Sequence, residues 1–374
     1  MHLIYIFTFD YSLSTWDESG HISRESKYFS ELGKNVYNKI TLVTYGDVTD
    51  YEYLDSFKNI EIFPIYNFTK KPKRKFIRYL KSFYFPVLVY KNLELGNNSI
   101  IKQNQLLGSW VSIGLKLISK CKLVTRTGYD MFTFSRYDKK NTLLRIAYYI
   151  LTQFTLLFSD AYTVTSNVDK SFLKERFFFT NKISLIPNWV ITDNLKKNIN
   201  RNKNTILSIG RVEKQKNLYQ LIDEIKNSDF KLLHIGTGSL SKEFVSYAEK
   251  NSVSLSIIEK VDNEEVYKFL NKHLFFISFS KYEGNSKTIL EAMSSGCVVL
   301  ASDIPNNEEL IINNEDGILL DLNSPNLTFK LDALKGNEEL VSSISNNAKN
   351  RINLNNSLSR IIDLESDLIN KVIQ

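Results

Sequence analysis

The chain of 374 residues holds only two cysteines and four histidines. Cys121 and Cys297 both lie in apolar runs that read as strands, so they are expected to be buried free thiols of a cytosolic chain rather than parts of a disulfide scaffold. The histidines are scattered and no paired cysteine spacing occurs, which leaves a zinc site without support. Long apolar runs are missing as well. The nearest to a membrane span, 143–158, is interrupted by Arg145, Gln153 and two threonines. The first seven residues lack a basic region and a small-residue cleavage site and run into Asp10, so they read as a strand and not as a signal peptide. There is no repeat of fixed period and no Gly-Lys-Ser/Thr phosphate loop. Gly236-Thr-Gly238 opens like a dinucleotide fingerprint, but Ser241 stands at the third glycine position. These absences count against hydride transfer and nucleoside triphosphate hydrolysis.

What is present is an ordinary globular composition, 43% hydrophobic and 24% charged, on a chain long enough for two domains. The net charge of +7 is unevenly spread. Residues 1–200 carry 28 Lys+Arg against 17 Asp+Glu, and the remainder 20 against 24. The basicity thus belongs to the first half, and an anionic partner is expected for that half alone.

Residues 204–320 alternate between strand-like runs at 206–209, 231–235, 254–258, 274–279 and 297–301 and stretches with helical spacing. Such alternation predicts βαβ units and a parallel, doubly wound sheet. The first half repeats the rhythm less sharply, with strands near 2–8, 39–44, 60–64, 98–102, 121–125, 161–165 and 182–186. Helices are expected near 20–33, 75–93, 106–119, 142–158 and 167–178, and the apolar stripe of 357–372 adds one at the C-terminal end. Residues 194–204 are polar and read as a linker. The expectation is therefore a 1–193 domain, a linker, a 205–352 domain and a helix over 353–374 that packs back on the first domain.

Two segments carry chemistry. In the first, Lys281-Tyr-Glu283-Gly-Asn285-Ser286-Lys287-Thr288 follows a strand and opens a helix that Ser295-Gly296 can end. A strand-to-helix junction offers backbone N–H groups and a positive dipole end to a diphosphate, and Asn285 or Ser286 can cap it. Lys287 adds a charge in the first turn, while Glu283 and Glu291 can each accept hydrogen bonds from vicinal hydroxyls. In the second, Gly210-Arg211-Val-Glu-Lys-Gln-Lys216 follows a strand; Gly210 permits close approach of a ligand, Arg211 presents a planar fork to phosphate and Lys216 a point charge.

Together these segments resemble the retaining nucleotide-sugar glycosyltransferases of family 4. The resemblance spans most of the chain: the 234–240 loop, the strand end at Glu259-Lys-Val261, and the segments 159–166 and 186–188 match the family more weakly. It implies the α/β GT-B fold, two Rossmann-like domains facing across a cleft. It also implies roles. Arg211 and Lys216 would neutralise the diphosphate, Glu291 would bind the ribose, and Glu283 with the backbone at Asn285, Ser286 and Thr288 would hold the donor sugar. Lys287 would lie near the phosphates, with Gly210, Gly236 and Val261 lining the nucleotide pocket. A departing nucleoside diphosphate needs fixed positive charge more than a protein nucleophile. No Asp-x-Asp motif stands out between strand residues, so neither a cofactor nor a metal is expected.

The first half departs from the family pattern. In place of a double-glycine loop it has one glycine, Gly20, and a downstream Arg24-Glu25, from which Gly20 would approach the donor and Arg24 a phosphate. Where many relatives place a histidine in the cleft it has Arg126-Thr-Gly-Tyr129-Asp130, so Asp130 is a catalytic candidate and Arg126, Tyr129 and Gln105 are acceptor-side candidates. Residues 70–91 carry eight basic residues and no acid, interleaved with aromatics. Lys70, Lys71, Lys73, Arg74, Lys75, Arg78 and Lys81 are read as contacts to an anionic membrane surface, in preference to nucleic acid. The sequence thus points to a metal-independent, retaining hexosyltransferase with a nucleotide-sugar donor and a glycan or lipid-linked glycan acceptor. It would act in bacterial-type envelope polysaccharide synthesis, cytoplasmic and peripheral on the inner face of the plasma membrane. A non-catalytic sugar-nucleotide or membrane-binding module and a GT-B epimerase are the alternatives.

Overall fold

Val, Ile, Leu and Phe dominate the short runs that become strands, and most residues of the central strands are buried, as parallel strands covered on both faces require. The computed structural model describes residues 1–96, 98–192 and 200–374. It divides into two compact units, Met1–Ile186 with Ile362–Gln374, and Pro187–Ile361. The expected linker falls partly outside the described residues, at 194–199; its remainder enters a strand that already starts at Asn202, because this polar strand start pairs with His273.

The first unit is built on seven parallel strands: β1 (His2–Ile6), β2 (Lys39–Thr44), β3 (Glu61–Pro64), β4 (Ser99–Asn104), β5 (Lys122–Thr127), β6 (Ala161–Val164) and β7 (Ile183–Leu185). Their order is β3-β2-β1-β4-β5-β6-β7. The second unit has six: β8 (Asn202–Ile209), β9 (Lys231–Ile235), β10 (Leu255–Ile258), β11 (His273–Ser278), β12 (Val298–Ser302) and β13 (Ile318–Leu320), in the order β10-β9-β8-β11-β12-β13. Both orders reverse once, between β1 and β4 and between β8 and β11. Loops leaving the carboxyl ends of strands diverge at such a reversal and leave room for a ligand.

Several elements differ from expectation. The basic helix anticipated over 75–93 is two, Lys75–Ser82 and Phe85–Asn92, because Pro86 lacks the amide needed to continue the first and is preset for starting the second. The stretch just ahead of Gly20, where a glycine loop is the family pattern, is a helix, Leu13–Glu18, with the Trp16 indole stacked on Phe7 at 4.0 Å. The 106–119 helix begins at Ser109, after Gly108 at φ 102°. Helices Met131–Tyr137, Leu327–Lys335 and Glu338–Asn356 and the short β13 are additions to the expected elements. The C-terminal helix runs Leu358–Ile373, and its part from Ile362 onward belongs to the first unit.

Candidate active site at the β8–β11 reversal

The chain leaving β8 turns at Gly210, whose φ of 148° suits glycine, and enters a single 3₁₀ turn, Lys214–Lys216. A Cβ at 210 would stand 3.1 Å from Lys216 Cε, so the glycine leaves the lysine stem its path back over the loop. The chain leaving β9 turns at Gly236, φ 126°, where a Cβ would meet the Gly210 carbonyl oxygen at 2.3 Å. Only glycine lets these two loops touch through their backbones. Further contacts tie them: Val212 N donates to Thr237 O at 3.2 Å, and Ser239 donates to Glu213 through both its N–H (2.9 Å) and its hydroxyl (2.8 Å). Those two Ser239 bonds, with Arg211 adding its charge, hold the Glu213 carboxyl below the usual range. Arg211 itself is exposed.

Beneath Gly210 lies His234, buried on β9, with Nε2 2.9 Å from the Gly210 oxygen. An oxygen acceptor there sets the neutral tautomer with the proton on Nε2. Burial, against the favourable Gly210 bond, lowers the His234 pKa to about 4.

The second loop comes from β11. Lys281 N donates to Gln215 O at 2.9 Å and Gln215 Nε2 to Tyr282 O at 2.8 Å, so Gln215 clips the two loops side by side. This brings Lys216 onto Glu283 as an ion pair, with the Ser280 hydroxyl donating to the same Glu283 oxygen at 2.5 Å. The helix Lys287–Ser294 follows. It packs Ile289, Leu290, Ala292 and Met293 into the core and stops at Gly296, φ 72°. Ser286 occupies its N-cap position, yet no side chain caps it; the Ser286 hydroxyl lies 3.3 Å from Thr288 Oγ1. An N-terminus without a side-chain cap keeps its dipole end for an anion. Lys287 and Thr288 are half-buried in its first turn. Glu291 is only 3% exposed, and its Oε1 accepts from Asn263 Nδ2 at 2.9 Å.

Of the expected donor-site residues, Gly210, Arg211, Lys216, Gly236, Glu283, Asn285, Ser286, Lys287 and Thr288 fall in loops or a first helical turn at the carboxyl edge of the second sheet, and Glu291 in the second turn of the helix Lys287–Ser294. Two have other work. The Asn285 side chain accepts from Asn188 N at 3.1 Å while its carbonyl accepts from Asn188 Nδ2 at 2.7 Å, and Asn188 O in turn accepts from Asn356 at 2.8 Å. Val261 packs partly buried against the core below β10. Segment 186–188, expected to close the first domain, thus places Asn188 in the second unit. Gln215, Asn263, Ser280 and His234 were not legible as site residues: Gln215, Asn263 and His234 lie far along the chain from their partners, and Ser280, three residues before Glu283, belongs to no local motif.

In the first unit Gly20 lies between two helices at φ 67°, its N–H on Asp17 O, which accounts for the glycine by the turn itself. Arg24 is 5% exposed and pairs with Glu25. Gln105 leaves β4 beside the β1–β4 reversal at φ 67°, and its Oε1 accepts from Gly128 N at 3.0 Å. Arg126, half-buried at the end of β5, supplies the carbonyl for Gln105 N at 2.7 Å. Tyr129 is 39% exposed with its ring 4.7 Å from Phe134. Asp130 caps the helix Met131–Tyr137, accepting from Thr133 N (2.6 Å) and Thr133 Oγ1 (2.7 Å). Burial raises its pKa against those bonds.

In the basic segment two cations are turned to structural tasks. Arg78 binds Asp10 at 2.7 Å, which raises its pKa, and donates to the carbonyls of Pro72 and Lys73, while Lys81 donates to Lys70 O at 2.5 Å. Lys70, Lys71, Lys73, Arg74 and Lys75 are exposed.

Residues 191–351 match the model of the glycosyl transferases group 1 family. An uncharacterized glycosyltransferase of Methanocaldococcus jannaschii is 32% identical over 145 residues, 38% of this chain and 41% of the relative. The UDP-Gal:α-D-GlcNAc-diphosphoundecaprenol α-1,3-galactosyltransferase of Escherichia coli is 25% identical over 263 residues, 64% of this chain and 67% of the relative. Among solved structures, Anabaena HepE in complex with UDP and glucose superposes with a TM-score of 0.76 at 13% identity, over 99% of this chain and 100% of that one. The chain therefore has the GT-B fold, and within it residues 191–351 are similar to the glycosyl transferases group 1 family.

Proposed function

We propose that the protein is a retaining glycosyltransferase that moves a hexosyl group from a nucleoside diphosphate sugar to a glycan or lipid-linked glycan in envelope polysaccharide synthesis. The observation that carries this reading is the convergence at the β8–β11 reversal. There an ion-paired lysine and glutamate, Lys216 and Glu283, lie between an exposed arginine and a helix start without a side-chain cap, with a buried glutamate one turn further in. In this reading the diphosphate rests on the start of the helix Lys287–Ser294 and on Arg211 and Lys216, and no metal is needed to neutralise it. Glu291, held by Asn263, accepts from the ribose hydroxyls; Glu283, held by Ser280, accepts from the sugar. As the sugar–phosphate bond breaks, negative charge grows on the leaving diphosphate, and preplaced cations stabilise it there. On the first unit, Gln105, Arg126 and Tyr129 are the proposed acceptor contacts, and the exposed Lys70, Lys71, Lys73, Arg74 and Lys75 bring the chain onto an anionic membrane. The names of relatives such as the E. coli diphosphoundecaprenol galactosyltransferase support a lipid-linked acceptor.

The test is a thermal-shift and hydrolysis panel of UDP-, GDP-, ADP- and CMP-sugars on the wild type, Arg211→Ala and Glu291→Ala. One nucleotide class should stabilise the wild type. Removing a hydrogen bond to a charged group costs about 1.5–3 kcal/mol, so each variant should bind about ten- to a hundredfold more weakly. Unchanged affinity and turnover in both variants would sink the site assignment.

A further inference from the structure

A second surface of the first unit is apolar where a water-facing surface should be polar. The helix Thr142–Phe158 buries one face and yet leaves Leu143, Ile146, Ile150, Phe154 and Leu157 between 41% and 81% exposed. Its neighbour Ser109–Ser119 exposes Leu117 (61%) and Ile118 (40%). Between the two helices runs a groove of about 640 Å³, lined by Trp110, Ile113, Leu117, Ala147, Ile150 and Phe154 among others. That volume is within the range of about 300–1,000 Å³ usual for small-molecule sites, and the lining is almost wholly apolar. Contiguous exposed apolar surface of this kind marks an interaction site.

Three observations say what covers it. First, the face continues into the basic segment: Trp110 lines the groove, and its indole N–H donates to Ser82 Oγ at 2.8 Å, at the end of helix Lys75–Ser82. Second, helices Lys75–Ser82, Phe85–Asn92, Ser109–Ser119 and Thr142–Phe158 contain no Asp or Glu at all, so every charge on them is positive. Third, the loop after helix Asn167–Arg176 holds Phe178 (70% exposed) beside the same face. The Gln153 amide fixes it there, donating to Phe178 O at 3.2 Å and accepting from Phe178 N at 3.0 Å. Aromatic and aliphatic tips on helices whose own charges are all positive complement an anionic bilayer surface, apolar side down and charges on headgroups. No helix among the described residues is long and apolar enough to cross a membrane, so the face would lie on the bilayer rather than in a span.

We infer that this face docks on an anionic bilayer and that the groove between helices Ser109–Ser119 and Thr142–Phe158 takes an alkyl chain of a bilayer lipid. This rests on the membrane part of the proposed function and extends it to a lipid-chain site outside the 70–81 cations.

Trp110 is a built-in reporter, because the other two tryptophans, Trp16 and Trp189, are buried at 5% and 7%. The full chain is sedimented with phosphatidylcholine vesicles, with and without phosphatidylglycerol, whose acyl chains are brominated. The expected result is pelleting that needs the anionic lipid, with fluorescence quenching that Trp110→Phe removes. Ala147→Phe should fill the groove and keep binding within about threefold while abolishing the quenching, and Ile150→Glu with Phe154→Glu should weaken binding tenfold or more. Binding without Trp110 quenching, quenching unchanged in Ala147→Phe, or equal pelleting on neutral vesicles would overturn the inference. So would a lipid-free dimer that the double variant turns into a monomer, since the face would then be a contact between copies. None of these readouts involves a sugar nucleotide: Arg211→Ala and Glu291→Ala should bind vesicles as the wild type does, so failure here leaves the transferase reading standing, and the reverse.

Discussion

At the scale of single residues the donor site is made by a few side chains whose partners lie far away along the chain. Lys216 finds Glu283 because Gln215 holds the two loops together, and Glu291 finds Asn263 across the carboxyl edge of the second sheet. His234 is the hidden member. It takes no part in the proposed ligand contacts but supports the Gly210 carbonyl from below, and burial holds its pKa at about 4 against 6.5 for a free histidine. A histidine kept neutral in the folded chain takes up its proton on unfolding. Between pH 6.5 and about 4 the unfolded state therefore binds more protons, and stability is lost as the pH falls through that window. From pH 7 to pH 5 His234 alone should cost about 2 kcal/mol. His234→Gln can keep a donor toward Gly210 without titrating, so its stability measured by urea unfolding should fall less over the same interval. An equal fall in wild type and variant would show that the titration of this ring is not felt.

At the scale of elements, one helix end and one helix face carry the argument. The helix Lys287–Ser294 would be better stabilised with a side-chain cap, and lacks one where the proposed diphosphate sits. The C-terminal helix Leu358–Ile373 shows the opposite economy. It buries Glu365 at 2% exposure against Lys102 of β4, and Tyr28 donates to the other Glu365 oxygen at 2.5 Å while accepting from Lys102 at 2.8 Å. Burial drives the Lys102 pKa down and Glu365 opposes it. A pair desolvated to this extent adds little by existing but makes removal of one partner expensive. Glu365→Ala should destabilise the first unit by about 3–5 kcal/mol in denaturant unfolding, and Lys102→Met added to it should recover a large part. If the single variant unfolds like the wild type, the helix is not held by this contact.

At the scale of the whole molecule the chain is two parallel-sheet units, each with one reversal of strand order, and the proposed donor contacts belong to Pro187–Ile361 alone. A nucleotide at a hundred times its dissociation constant adds about 2.7 kcal/mol to whatever it binds. Hydrogen exchange with the best nucleotide from the panel should therefore slow amides in the loops after β8, β9 and β11. It should leave the sheet of the first unit near its ligand-free rates. Protection confined to the first unit would place the nucleotide elsewhere. The uneven charge follows the same division, with the excess cations on the unit that carries the apolar face and the groove.

The strand and helix rhythm, the two sheets and the paired-glutamate segment were legible in the sequence, because period, glycine turns and a strand-to-helix junction are local features. The family resemblance, too, rested on short motifs around Arg211, Lys216, Glu283 and Glu291. Tertiary structure alone decided which cations are available. Arg78 looked like its neighbours in a basic run, but the fold turns it onto Asp10. Asp130 looked like a free acid and is a helix cap, and Asn285 looked like a ligand contact and braces Asn188. Residues 143–158 read as a helix too interrupted to span a membrane; only packing could leave much of its apolar face exposed. Periodicity tells which residues share a face, whereas burial and pairing depend on what a distant part of the chain brings against it.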